Sequence, residues 1–220
     1  MRKDRKYKDT YFFSVEGETE VWYFEWLQRI INSSPTARYT VRFHCKKQKD
    51  PLKYAKGFNI LRETEVVHVV DVESEDEVHV KQFTTTLGRM EKAEKLGKDI
   101  KYRLGYSNFT FDLWIILHKM ECNGAFTHRS QYVSPINRAY SEKFENLDQY
   151  KHEDNFKRVL SKLTLDDVCQ AIRRSKYIMQ RNKENGYVLH QHKGYEYYKE
   201  NPSLSIGEVV EKIMSKCDLL

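Results

Sequence analysis

Residues 65–71, EVVHVVD, constrain this chain more than any other segment. Valines on both faces of an extended run suit a strand covered on both sides, and such strands belong to parallel sheets in α/β proteins. A parallel strand needs crossover helices to reach its neighbours, and the surrounding sequence supplies them. Residues 10–15 (TYFFSV) are a short β-forming run that ends at Glu16-Gly17. Val21, Phe24, Leu27 and Ile31 then recur at helical spacing, with Trp22, Trp26 and Ile30 widening the apolar face until Ser33-Ser34-Pro35 ends it.

Residues 39–45 alternate as a second strand. Pro51 opens a short helix expected over about 51–62. After the central strand, Val80, Phe83, Leu87 and Met90 mark the buried stripe of a long helix, and residues 101–105 read as a fourth strand. Farther on, Phe111, Trp114, Ile115 and His118 share one helical face, which predicts a half-buried histidine with satisfied nitrogens. The last third reads as helical throughout. Thr164 with Asp167 and Ser205 with Glu208 have capping-box spacing, and Ile206, Val209, Val210, Ile213, Met214 and Cys217 form a core-facing stripe. Strands alternating with helices predict an α/β fold with a mainly parallel sheet flanked by helices and a helical C-terminal region. The expected division is 1–125 for the sheet-bearing part and 126–220 for helices packed on it, as one compact unit.

Composition excludes several classes. No run approaches the about 18 apolar residues of a membrane span, and the first ten residues lack the apolar stretch of a secretory signal. Cys45, Cys122, Cys169 and Cys217 stand far apart with no CxxC pair, as expected of thiols in a reducing cytoplasm rather than of a zinc site. No Walker A sequence and no glycine-rich dinucleotide fingerprint is present, so ATP chemistry would have to come from a partner.

Charge is unevenly placed. Residues 157–199 hold ten Lys/Arg against four Asp/Glu, a surplus equal to the whole net charge of +6. Tyr177, Tyr187, Tyr195, Tyr197 and Tyr198 stand among those charges. Lys and Arg neutralise phosphates and tyrosine faces stack on unpaired bases, so Arg173, Arg174, Arg181 and Lys183 are candidate nucleic-acid contacts; an ordinary solvated helix would carry the same pattern. Acids cluster elsewhere, at Glu16, Glu18, Glu20 and Glu25 and again at Asp71, Glu73, Glu75, Asp76 and Glu77. Glu16 and Asp71 fall at strand ends, where ligands gather in open α/β sheets. If the chain stays extended through Val72, Asp71 and Glu73 point to the same side. Converging carboxylates repel, and a hard divalent cation relieves that repulsion. A solvated acidic loop opening a helix is the competing account.

Four segments together resemble the RloB family. Residues 12–20 (FFSVEGETE) followed by Tyr23-Phe24 resemble its opening motif, a hydrophobic strand leading into Glu-Gly and further acids. Residues 67–73 (VHVVDVE) resemble its apolar strand ending in Asp-x-Asp, with Glu73 standing where the second Asp is usual and reaching one methylene further. Residues 107–118 resemble its Ser-Asn-Pro-x-Phe-Glu-Leu-Trp segment, with Phe109 in place of Pro and Asp112 in place of Glu. Asn201-Pro202-Ser203 matches a C-terminal signature. The resemblance implies a Toprim-type module whose genes commonly lie beside phage-defence genes, holding Mg²⁺ (or Mn²⁺) through Glu16, Asp71 and Glu73. Glu16 or Glu20 would then serve as proton acceptor, and Asn108 would either cap the following helix or reach a phosphate. The expected activity is a metal-dependent nuclease acting on DNA or RNA in anti-phage defence. The alternative is a non-catalytic nucleic-acid-binding or adaptor module working with a defence ATPase.

Overall fold

Alternation of period two sorts the side chains of the central strand. In β3 (Thr64–Asp71), Val67 and Val69 pack on one face and Val66 and Val70 on the other. β1 (Lys8–Val15) divides likewise, with Phe13 and Val15 against the first face and Phe12 against the second. The computed structural model, which describes residues 7–58, 63–74, 76–124 and 126–220, joins these strands with β2 (Thr40–Lys47) and β4 (Ile100–Asn108) into a parallel sheet of order β2-β1-β3-β4. The crossovers are α1 (Glu18–Ser33), α2 (Pro51–Lys56) and α3 (Glu77–Glu94). The α/β class with a mainly parallel, helix-flanked sheet is therefore as the sequence predicts.

The two faces have separate cores. One gathers Phe24, Leu27 and Ile31 of α1 with α4 (Asp112–Leu117) and the C-terminal helices α5 (Val133–Tyr140), α6 (Leu147–Lys151), α7 (Glu153–Ser161), α8 (Leu165–Glu184) and α9 (Ile206–Lys216). The other gathers Tyr54 of α2 and Phe83, Leu87 and Met90 of α3. α2 stops at Gly57; residues 59–62 of the helix expected over 51–62 lie outside the described residues. Thr164 and Asp167 form the expected capping box of α8.

Three features of the last third depart from the helical expectation. β5 (Leu189–His192) and β6 (Tyr195–Tyr198) form an antiparallel hairpin. Its two turn residues, Lys193 and Gly194, have φ of 54° and 87°, the pair of positive values that a two-residue hairpin turn of matching twist requires. β7 (Ser203–Leu204) then adds to β4 antiparallel at Ser107 and Asn108. The capping box expected at Ser205 does not form, because its hydroxyl donates to the Leu104 carbonyl and accepts from the Tyr106 N–H, satisfying the edge of β4 instead. Among the described residues, no helix is long and apolar enough to cross a membrane.

Candidate acidic site

Strand order places the site. The chain leaves β1 toward β2 and returns across β1 to β3, so the crevice at the carboxyl ends of β1 and β3 is a topological switch point. Glu16 follows β1 directly and Asp71 is the last residue of β3. The Asp71 N–H donates to Glu16 Oε2 at 3.1 Å, and Asp71 Oδ1 accepts the Phe111 N–H at 2.8 Å. Glu20, in the first turn of α1, is 4% exposed and accepts from the Thr19 hydroxyl at 3.1 Å. Gly17 makes that placement possible: a Cβ there would stand 2.9 Å from Glu20 Oε2.

These carboxylates lie in each other's fields. Burial raises Glu16 to about 7, against the Asp71 N–H and Lys49, with Glu20 and Glu73 adding to the rise. Asp71 is pushed well above the usual carboxylate range by burial, then by Glu20 and Glu16. Glu20 is raised by burial first. Among the described residues, none of the three has a Lys, Arg or His nitrogen within 4.0 Å.

The cation nearest in influence comes from an element the sequence did not connect to the site. Lys151, the last residue of α6, places its ammonium 3.0 Å from Asp112 Oδ2. Asp112 is 1% exposed and also accepts from the Thr110 hydroxyl at 2.8 Å. Burial pulls Lys151 down, but Asp112 and Asp71 outweigh it and hold the ammonium above its usual value. Nothing in the spacing of residues 112 and 151 announces this pair; the signal present was a carboxylate at the first turn of an apolar helix, which the helix dipole alone would explain.

Glu73 is placed differently from its expectation. β3 ends at Asp71, and Glu73 has φ of 64°, so the chain is not extended through Val72 and the two acids do not share a side by strand alternation. Its carboxylate stands 3.2 Å from His79 Nε2 and 3.8 Å from Arg129 Nη1. Glu75 lies outside the described residues, and Asp76 caps α3 through the His79 N–H.

The remaining candidates fall away from the acids. Asn108 is fully buried, and its Nδ2 donates to the Lys199 carbonyl at 2.6 Å, so its amide ties β4 to the segment after the hairpin instead of facing a surface phosphate. Arg174 donates to the Leu117 and His118 carbonyls at 2.7 and 3.0 Å, closing the end of α4. Arg181 lies over the Tyr177 ring, while Arg173 and Lys183 are exposed. His118 is 1% exposed with both nitrogens engaged, by the Tyr23 hydroxyl at 3.2 Å and the Trp114 carbonyl at 2.9 Å, and burial lowers it to about 4.

The donor set suits a hard cation: oxygen ligands, elevated carboxylates and no ammonium already seated on them. Among the described residues, no group of three or more His, Cys, Asp or Glu side chains is arranged to hold a metal ion. The fit is therefore to a cation held by two carboxylates, Glu16 and Asp71, with water and substrate oxygens completing it, and not to a cage of three protein ligands. No curated protein and no solved structure matches the chain. The family model described as RloB-like protein matches residues 11–213, from within β1 into α9, and the chain belongs to the RloB-like family.

Proposed function

We propose that this RloB-like protein is a metal-dependent phosphodiesterase acting on DNA or RNA, in anti-phage defence. The observation that carries the reading is the trio Glu16, Glu20 and Asp71 at the switch point of the sheet, raised by burial and mutual repulsion and lacking an ion-pair partner among the described residues. Glu16 and Asp71 would hold Mg²⁺ or Mn²⁺, two of the three ligands, with Glu73, that the Toprim resemblance implies. When bound, the cation supplies a polarised phosphate oxygen and a more acidic water. Glu20, buried behind Gly17, would serve as the proton acceptor. Lys151, fixed by Asp112, adds a positive charge whose field reaches Asp71. The Asp71 and Phe111 N–H groups hold the carboxylates in register.

A second reading is supported by the diversion of Glu73 to His79 and Arg129 and by the lack of a three-ligand arrangement. On that reading the chain is a nucleic-acid-binding or adaptor module that works with a defence ATPase. One experiment separates them. Purified protein is incubated with mixed DNA and RNA in Mg²⁺, Mn²⁺ or EDTA, and cleaved ends are sequenced, with Asp71→Asn in parallel. Cleavage that requires the cation and disappears in Asp71→Asn supports the phosphodiesterase; binding with no cleavage in either cation supports the adaptor.

A further inference from the structure

The acids do not stand alone at their crevice. Glu16 and Asp71, together with Glu73, line a cleft of about 660 Å³ to which α3 contributes most of the lining residues; Glu20 is not among them. Lys81 and Arg89 both line it, with Thr85 between them at i+4 from each. That spacing puts the three on a single helical face. Lys81 and Arg89 are therefore about 12 Å apart along the helix axis. Lys49, in the turn between β2 and α2, lines the same cleft, and its charge acts on Glu16. The cleft thus has a row of three cations beside a carboxylate cluster.

These cations are available to a ligand. Lys49 and Lys81 are exposed and, among the described residues, have no carboxylate within 4.0 Å. Arg89 is exposed and shares one nitrogen, Nη1, with Asp50 at 3.3 Å, which orients the guanidinium; Asp50 uses its other oxygen to cap α2. His79, by contrast, is held between Asp76 and Glu73.

The basic stretch of α8 is partly committed elsewhere; Arg173 and Lys183 are exposed and, among the described residues, have no carboxylate within 4.0 Å. Arg174 closes α4, Lys176 is paired with Glu211, and Arg181 covers Tyr177. Lys176 and Lys183 line a different cleft, of about 1280 Å³, beside the segment of β4 from Ile100 to Tyr106. Asp71 pairs with Ser107, beyond the far end of that segment. Four acids, Glu65, Glu94, Glu196 and Glu208, line that second cleft too, and Glu65 is paired with Arg103 and Lys212.

We propose that the substrate of the acidic site, a phosphodiester strand, runs along the α3 wall with Lys49, Lys81 and Arg89 contacting its phosphates, and that α8 is not its track. This rests on the phosphodiesterase reading for the identity of the ligand. Phosphate contacts supply the salt-dependent part of nucleic-acid affinity and fix the register of the backbone. A strand held on this wall passes the mouth where Glu16 and Asp71 sit.

The test is fluorescence anisotropy with labelled 20-nucleotide single strands and duplexes of DNA and RNA, in EDTA across a salt series. Wild type is compared with Lys49→Gln/Lys81→Gln, with the triple variant adding Arg89→Gln, and with Arg173→Gln/Lys183→Gln. Each lost contact removes about 0.7 from the log-log salt slope on a single strand and about 0.9 on a duplex. The triple variant is expected to lose about 2 of that slope and at least ~10-fold in affinity at low salt, and the double variant about two thirds of the slope change; the α8 pair is expected to keep both. The double variant leaves the Arg89–Asp50 pair intact, so a folding defect in the triple variant does not mask the result. An unchanged slope in both wall variants, a loss confined to the α8 pair, or no binding of any probe by the wild type overturns the proposal. A wall-dependent slope with no cleavage in Mg²⁺ or Mn²⁺ leaves the track standing and removes the phosphodiesterase instead.

Discussion

Glu16→Gln is expected to stabilise the metal-free protein at alkaline pH and to leave it unchanged in acid. Gln keeps an oxygen for the Asp71 N–H, which Glu16 now accepts at 3.1 Å, and removes the buried charge. The carboxyl is raised from 4.5 to about 7, with burial the largest cause. A raised carboxyl means the folded protein binds the proton more tightly than the unfolded chain. Below about pH 4.5 both states hold it and the residue contributes nothing adverse. As pH climbs toward about 7 the unfolded chain releases its proton first, and the folded state loses stability across that window.

The gap from 4.5 to about 7, at about 1.4 kcal/mol per pH unit, sets a ceiling of about 3.5 kcal/mol above pH 8. Glu16 is partly exposed, and solvent screening brings the expected gain to about 2 kcal/mol. For a chain of this size that is a rise of about 4 to 8 °C in Tm. Thermal and urea unfolding of both proteins in EDTA, at about pH 4 and about pH 8, measures it. Equal differences at the two pH values, or a destabilised variant at pH 8, would refute the account of Glu16 as a buried, repelled carboxylate. Adding Mn²⁺ at pH 8 should then raise wild type toward the variant, because a ligand bound to the folded state alone stabilises it.

Three further outcomes follow from the same geometry. Asp71→Asn should weaken Mn²⁺ binding by at least ~100-fold in calorimetry, and unchanged binding would end the metal assignment. Glu73→Gln should change Mn²⁺ affinity by less than ~3-fold, because its carboxylate is committed to His79 and Arg129; a loss as large as that of Asp71→Asn would make it a ligand after all. Lys151→Met leaves Asp112, 1% exposed, without its ammonium, at a cost of about 3 kcal/mol, and adding Asp112→Asn should recover most of it in urea unfolding; a double-mutant coupling below ~0.5 kcal/mol would mean that the pair is not formed.

Much of the sheet was legible because its signals are local. The valines of β3 and the aromatics of β1 announce buried strands by residue type and alternation, and the stripe Phe83, Leu87, Met90 announces the covering helix. The hairpin at 189–198 was missed although Gly194 marked its turn, since the aromatic and basic content of that segment suits a nucleic-acid surface as well as a strand pair. Ser205 misled for a related reason. Its spacing to Glu208 is that of a cap, but the nearby edge of β4 offers its hydroxyl both an acceptor at Leu104 and a donor at Tyr106.

The site divides along the same line between local and distant determinants. Glu16 and Asp71 could be named because each terminates its own strand, and one strand order brings both ends together. Lys151 could not, because it is 39 positions from Asp112 and arrives on a helix of five residues. The sign of the surface was the least legible property. Counting residues puts the whole surplus of +6 in 157–199, yet within that stretch Lys157 pairs with Glu153, Lys176 with Glu211, Arg158 and Lys162 with Glu142, and Arg174 with carbonyls. Lys49 belongs to a second basic run, six Lys/Arg against one Asp over residues 42–56, and among the described residues neither it nor Lys81 has a carboxylate within 4.0 Å, although both line the cleft of Glu16 and Asp71. A phosphate responds to the charge that remains after pairing, and pairing is decided by which elements the fold sets side by side. In this chain Lys49 and Lys81 line the same cleft as Glu16 and Asp71, the carboxylates that would need a counter-ion to receive the same phosphate.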